Sequence, residues 1–207
     1  ALPSSNWFPK NSFVGDHKVS DAGLYDLLLH SRDRPYTVED IAETLDIAGL
    51  SLVSFHEPAR YDPRRYLPES LWPRLDGLDA ITLAGLAERL AGDMKTHCFY
   101  AVRKDEARGQ AKFTQTARPR LGALPAAALG RQIEMRGEVK IESNGQKMSL
   151  SIPKRAGGLV ALADGVLRLG EIAQIRGLDW VAFSSLWKPV DEVLAGFNLL
   201  HYSEGMS

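Results

Sequence analysis

The hydrophobic and polar positions of residues 37–57 follow the pattern of a capped helix that runs into a buried strand. Thr37 and the acidic residues after it predict a capping box, and Gly49 fits a left-handed helix end. Between them, one helical face carries the apolar residues Ile41, Ala42, Leu45 and Ala48. The next segment, 50–56, is apolar enough for a strand.

Three further elements are predicted in the first half of the chain. Asp21 offers an N-cap for a helix that reaches His30, after an irregular arm over residues 1–20. Apolar residues from Leu83 to Leu90 mark another helix. A second strand covers residues 97–102 within the stretch 95–103.

The second half contains a clear hairpin pattern. Residues 138–142 and 147–152 alternate polar and apolar side chains around Asn144-Gly145, a pair suited to positive φ in a tight turn. Three helical patterns follow, and the last is expected to bend or split at Pro189. They cover residues 159–163, 169–174 and 180–195, and a final strand is predicted over 197–202. A hairpin, three helices and a strand in this order are similar to a winged-helix arrangement.

The charge pattern predicts where the chain divides. From Arg103 to Arg120, six basic residues face two acids with few apolar anchors, which is typical of a linker. We therefore predict an α+β chain with a first domain at 1–104, a linker at 105–120 and a small domain at 121–207.

Composition restricts the classes of partner. The charges of the 25 basic and 26 acidic side chains nearly cancel, so nucleic acid is not an expected partner. The exposed side of the last helix is acidic, which makes a DNA-binding regulator the least favoured interpretation. No apolar run approaches the roughly 20 residues that span a bilayer, so no membrane contact is expected. The single cysteine, Cys98, lies in an apolar run and predicts a buried thiol in a cytoplasmic protein.

The chain contains none of the common catalytic motifs. It has no glycine-rich phosphate loop, no H-E-x-x-H, no paired-cysteine zinc spacing and no serine elbow. Its five histidines are scattered, so no metal site is predicted.

Two short polar clusters are the candidate binding residues. The first is Tyr25, His30, Arg32 and Asp33, and the second is His56, Glu57, Arg60 and Tyr61. The second cluster follows a strand, where polar groups emerge from the core of an α/β sheet and ligands commonly bind. The alternative is that Arg32, Asp33, Arg60 and Asp62 form solvated loop ion pairs.

Two stretches, Thr37–Glu57 and Thr96–Lys104, resemble the end of a class I S-adenosylmethionine-dependent methyltransferase. In that family the last helix, an AGL- or GF-type turn and two final antiparallel strands close a seven-stranded, Rossmann-like sheet. Residues 15–17 and Asp21–Arg34 are similar to a bacterial subgroup, in which this region forms a cap over the substrate pocket and a small C-terminal domain is appended.

The resemblance implies S-adenosylmethionine as the cofactor of a parent protein, with an N-terminal domain that binds it as the partner of this chain. The family's cofactor motifs have no counterpart here, so no cofactor or catalytic residue is assigned and the chain alone should not methylate anything. The absence of an initiator methionine is read as the mark of a trimmed or expressed piece.

The resemblance also suggests what the polar residues do. Those expected to orient a methyl acceptor of unknown identity are Tyr25, His30, Arg32, His56, Glu57, Arg60 and Tyr61. Bare strand edges could allow a homodimer. The competing interpretation is a stand-alone winged-helix-like module that binds a peptide or a protein.

Overall fold

The computed structural model describes residue 15 and residues 19–29, 34–106, 111–122, 124–143 and 146–203. The chain forms two compact units, residues 1–36 and residues 37–207. In the first unit, helix α1 spans Asp21–Leu29, and the Ser20 hydroxyl accepts a hydrogen bond from the Gly23 N–H at 3.0 Å. Tyr25 is exposed on this helix. The other candidate residues of this segment, His30, Arg32 and Asp33, lie outside the described residues.

The second unit begins with the predicted helix and strand. Helix α2 spans Val38–Ile47 and strand β1 spans Leu50–Phe55. Thr37 and Asp40 form the capping box: the Thr37 hydroxyl accepts from the Asp40 N–H at 3.2 Å, and the Asp40 carboxylate accepts from the Thr37 N–H at 3.0 Å. Short 3₁₀ turns then lead to helix α3, Ala80–Ala91, and strand β2, Phe99–Arg103. These local predictions are therefore confirmed.

Strands β1 and β2 pair into an antiparallel ribbon that is covered on one face. The register runs from Leu50 opposite Arg103 to Phe55 opposite Phe99, with a bulge between Leu52 and Ser54. Helices α2 and α3 cover the ribbon through a small core of Val38, Phe55 and Ala84. Within the described ranges, no third strand joins either edge.

The prediction that Cys98 is buried is wrong. Cys98 is exposed, and Tyr100, two residues further on, is 52% exposed. A run of apolar residues is buried along its whole length only if both faces of the strand are covered. In this ribbon, the helices cover one face.

The rest of the unit alternates short strands and helices. It contains β3 (Arg118–Leu121), α4 (Ala126–Arg136), β4 (Glu138–Ser143), β5 (Gln146–Ser151), α5 (Gly157–Val160), α6 (Leu169–Ile175), α7 (Trp180–Val190) and β6 (Leu200–Ser203). The predicted hairpin is confirmed, because β4 pairs antiparallel with β5 from Glu138↔Ser151 to Ser143↔Gln146. A single core of buried side chains joins α4, the hairpin, α6, α7 and β6.

Strand β3 differs from the predicted linker at its C-terminal end. Residues 118–121 pair antiparallel with β6, from Arg118↔Ser203 to Leu121↔Leu200. The neighbouring Ala117 is fully buried. The described helices and three two-stranded antiparallel sheets make the fold α+β, as predicted. In the part of the chain that the structure describes, no helix is both long and apolar enough to cross a membrane.

Helices α4 and α5 cross where two glycines meet, and this crossing gives the first prediction. A Cβ added to Gly157 would lie 2.5 Å from the Gly130 carbonyl oxygen, so the helices must move apart. We expect Gly157→Ala to lower the free energy of unfolding by about 1–3 kcal/mol, measured by urea denaturation. The matched control is Gly122→Ala, where the nearest atom is 3.9 Å away and little change is expected. Equal stability of the two variants would contradict this reading of the crossing.

Candidate functional site

A cleft of about 770 Å³ lies between the β1–β2 ribbon and the C-terminal half of the second unit. Its volume is in the range of small-molecule sites. We call it the central cleft and define it by six of its lining residues: Phe55, Tyr100, Phe113, Asp191, Asn198 and Tyr202. Four of the six are aromatic, and they come from both sides of the cleft.

A change of helical geometry places two acids on the cleft wall. Helix α7 contains Pro189 in its last turn and is followed directly by a π-helical turn, Asp191–Ala195. The expected break at Pro189 is therefore a change of pitch that begins two residues later. Such π-turns occur often at functional sites because they re-aim side chains. Here the turn brings Asp191 and Glu192 to the cleft.

Asp191 is held by a hydrogen-bond chain that starts in the core. The Trp187 Nε1–H donates to the Tyr202 hydroxyl at 2.9 Å, and that hydroxyl donates to Asp191 Oδ1 at 2.6 Å. Burial raises the pKa of the Asp191 carboxyl, and burial together with the nearby Asp191 carboxylate raises the pKa of Tyr202. Among the described residues, no cationic side chain forms an ion pair with Asp191.

His56 borders the cleft through two of its lining residues. The Asn198 Nδ2 lies 2.6 Å from the His56 Nε2, and the His56 ring lies 6.4 Å from the Tyr100 ring. When the Asn198 amide donates, His56 carries its proton on Nδ1. Asn198 has φ +59°, the left-handed conformation that asparagine tolerates better than most residues. The predicted residue His56 is thus next to the central cleft.

Tyr61 heads a buried chain that the sequence analysis missed. Its hydroxyl lies 2.9 Å from His97 Nδ1, and His97 Nε2 lies 3.2 Å from Glu88 Oε1. The other Glu88 oxygen accepts the Val38 N–H, at the start of α2, at 3.0 Å. The Tyr61 ring stacks on Phe55, with 3.6 Å between ring centroids. Tyr61 therefore supports the cleft residue Phe55 from behind.

This environment gives Tyr61 a pH signature. Burial raises the pKa of Tyr61 from 10.0 to about 12, because the ionised phenolate is poorly solvated there. The contribution of Tyr61 to the free energy of unfolding is therefore complete below pH 10, where this tyrosine is neutral in the folded and in the unfolded protein. It is lost as the pH rises toward 12. We expect the free energy of unfolding to fall by on the order of 2 kcal/mol more in the wild type than in Tyr61→Phe over this range. Urea denaturation at pH 9 and pH 11.5 measures the difference, and parallel losses in both proteins would contradict it.

Glu57 and Arg60 form a separate network away from the central cleft. The Arg60 guanidinium lies 3.8 Å from Glu57 Oε2 and 3.5 Å from Asp93 Oδ1, and its side chain is 13% exposed. Glu57 Oε2 also accepts the Ser143 hydroxyl at 2.5 Å. The pair therefore links the turn after β1 to the β4–β5 hairpin, and Asp62 makes its own ion pair with Arg64 at 3.5 Å.

The free edge of β1 adds a second surface beside the cleft. Because the Lys104 N–H donates to the Gly49 carbonyl, Leu50 and Arg103 form a non-hydrogen-bonded pair. The N–H and C=O groups of Leu50, and of Leu52 two residues later, therefore point away from β2. A groove of about 510 Å³ runs along this side of β1, between the strand and helices α2 and α3. We call it the edge groove.

Several site residues carry no recognisable sequence motif. Asp191, Asn198 and Tyr202 are separated from His56 by more than 130 residues, and only the folded chain brings them together. The one available signal is Pro189 followed by two acids in an aromatic helix. Among the described residues, no group of three His, Cys, Asp or Glu side chains could hold a metal ion.

No model of a known protein family matches this chain.

Proposed function

We propose that this chain is the substrate-cap and accessory region of an S-adenosylmethionine-dependent methyltransferase. In this proposal the central cleft holds the methyl acceptor, and the free edge of β1 docks against a separate domain that binds S-adenosylmethionine. The observation that carries it is that the cleft and the edge groove share Pro58 and residues 53–55 of β1. An acceptor in the cleft would lie against the same strand that meets the cofactor domain.

The fold of the ribbon supports this arrangement. Among the described residues, no strand pairs with the outer edge of β1, and an edge of this kind readily adds another strand. Helix α2, Gly49 and strand β1 also follow one another in the order that completes the sheet of the methyltransferases that this chain resembles. We propose that β1 and β2 are the closing strands of a Rossmann-like sheet.

Methyl transfer depends mainly on in-line positioning of the acceptor in a site closed to water. The chain would supply part of that wall. His56 anchors Asn198 at the cleft, Tyr61 supports Phe55, and Glu57 with Arg60 fixes the turn after β1. Tyr25, His30 and Arg32 belong to the proposed cap that the resemblance assigns to their segment.

The C-terminal half would be the accessory domain. Its order of hairpin, α5, α6, α7 and β6 agrees with the winged-helix-like arrangement inferred from the sequence. Lys188 on α7 stands beside Glu192, 3.8 Å away, and the capping residue Asp179 precedes the helix. This mixed and acidic surface favours a contact with protein over one with DNA.

The test combines binding and activity. Calorimetric titration of this chain with S-adenosylmethionine should show no binding, whereas the full-length gene product should bind the cofactor and transfer its methyl group. In that product, His56→Ala should raise the KM for the acceptor roughly tenfold and leave the Kd for S-adenosylmethionine unchanged. Arg131→Ala, at an exposed position of α4, is the control.

Two outcomes would contradict the proposal. One is a full-length product that does not bind S-adenosylmethionine, which would favour a stand-alone module that binds a peptide or protein. The other is unchanged acceptor kinetics in the His56 variant. Dimerisation of this chain through β1 would show only that the free edge can pair with a second copy.

A further inference from the structure

The central cleft contains a partly buried carboxylate, Asp191, that forms no ion pair with the part of the chain that the structure describes. Asp191 accepts the Tyr202 hydroxyl, but within the described ranges no lysine, arginine or histidine forms an ion pair with it. The other two acids of the cleft are paired: Asp62 with Arg64 at 3.5 Å and Glu192 with Lys188 at 3.8 Å. Removing a carboxylate from water without an opposite charge is unfavourable, so a bound cation would stabilise this arrangement.

The lining therefore has one acid whose charge stands apart from an ion pair. Arg64 and Lys188 offset the charges of Asp62 and Glu192, and Lys112 is the one lysine of the described lining. The unpaired charge of the cleft is thus concentrated at Asp191, where a bound ammonium group would meet it.

The aromatic residues set the other half of the ligand chemistry. Phe55, Tyr100, Phe113 and Tyr202 line the cleft from both sides. Aromatic faces attract cations and also cover apolar ligand surface, so they favour a cation attached to an apolar body over a hydrated metal ion. The cleft volume of about 770 Å³ is large enough for such a molecule.

The backbone around the cleft is unusual at two places that flank these groups. The π-helical turn begins at Asp191 itself, and Asn198 adopts a positive φ at the other end of the same loop. Both conformations are unfavourable relative to ordinary helix or loop, and such features concentrate at ligand sites. The π-helical turn thus places Asp191 at the cleft.

We propose that the central cleft binds an organic cation with an apolar, ring-sized body, and that Asp191 is its counter-ion. That this cation is the methyl acceptor rests on the proposed function, whereas the binding itself does not. An amine would satisfy both requirements, because its ammonium group can reach the Asp191 carboxylate while its ring lies against the aromatic walls.

The experiment uses three probes of nearly equal size and shape. Phenethylamine, 2-phenylethanol and 3-phenylpropionate differ mainly in charge, and each is titrated into this chain calorimetrically at pH 7.5 without S-adenosylmethionine. We expect phenethylamine to bind at least about tenfold more tightly than 2-phenylethanol, and 3-phenylpropionate to bind most weakly. Equal affinity for the amine and the alcohol, or no detectable amine binding, would overturn the proposal.

Variants locate the charge that is responsible. Asp191→Asn should reduce the affinity for phenethylamine to that for 2-phenylethanol while leaving the alcohol's affinity unchanged, which also reports an intact cleft. Glu192→Gln, at an exposed position of the same turn, should have a smaller effect in the same direction. Asp105→Asn, at an exposed site outside the cleft lining, should have none. An Asp191→Asn variant that keeps its preference for the amine would overturn the assignment.

The result separates the inference from the proposed function. Amine binding by this chain, with no methyl transfer by the full-length product, would support the cation site and reject the methyltransferase. Methyl transfer by the full-length product, with no amine binding by this chain, would support the methyltransferase and reject the cation site.

Discussion

Replacing Trp187 by alanine should lower the free energy of unfolding by about 3–5 kcal/mol, the range measured when large buried aromatic side chains are truncated. Trp187 has no exposed surface, stacks on Phe183 with 5.5 Å between ring centroids, and donates to the Tyr202 hydroxyl. The substitution therefore opens a cavity in the larger core and removes the donor to Tyr202. Urea denaturation followed by far-UV circular dichroism measures the loss.

The matched control for that prediction is Trp72→Ala. Trp72 is 37% exposed and its Nε1–H donates to the Leu67 carbonyl at 3.2 Å on the surface. We expect its removal to lower the free energy of unfolding by less than about 1 kcal/mol. Losses of similar size in the two variants would show that α7 is not the centre of the core.

Replacing His97 by alanine should lower the free energy of unfolding by about 2–4 kcal/mol. His97 bridges the Tyr61 hydroxyl and the Glu88 carboxylate, and its side chain is 8% exposed. Its loss leaves the Tyr61 hydroxyl and one oxygen of Glu88 without their partner in a poorly solvated place, which costs more than the loss of an ordinary hydrogen bond. Thermal or urea denaturation at pH 7.5 measures the effect.

The comparison with Tyr61→Phe makes this prediction specific. That change removes one hydroxyl and leaves His97 bound to Glu88, so it should lower the free energy of unfolding by about 1 kcal/mol. A His97→Ala variant that is no less stable than Tyr61→Phe would contradict the role of His97 as the central member of the chain.

Elements defined by local signals could be predicted from the sequence. Helix α2 has its capping box at Thr37 and Asp40, and Gly49 adopts φ +70° after it, so neighbouring residues settle both ends. The β4–β5 hairpin follows in the same way from alternation on both sides of one turn. Such elements depend little on the rest of the fold.

Elements that depend on distant contacts could not be predicted. The charged sequence Arg118-Pro119-Arg120 has a linker's composition, and it forms β3 only because β6, about 80 residues later, pairs with it. Cys98 illustrates the opposite error, since an apolar run predicts burial but Cys98 is exposed, and in the described part of the chain the helices cover one face of the ribbon. Whether a strand is covered is a property of the tertiary structure.

The candidate site shows the same division. His56 was predicted from its position after a strand, and it lies beside the central cleft. Asp191 and Asn198 reach the cleft through a π-helical turn and a positive φ, and no local sequence pattern predicts either conformation. His97 and Glu88 are nine residues apart, yet their role depends on Tyr61, 36 residues before His97.

The most direct test of the proposed docking is amide hydrogen exchange along β1, measured by NMR. The N–H groups of Leu50 and Leu52 point to the free edge, whereas that of Ser51 points to Val102 on β2 and serves as the internal control. In this chain alone, Leu50 and Leu52 should exchange at least tenfold faster than Ser51. In the full-length gene product that contains these residues, all three should be protected to a similar degree. Leu50 and Leu52 amides that exchange as fast in that product as in the chain alone would contradict the account.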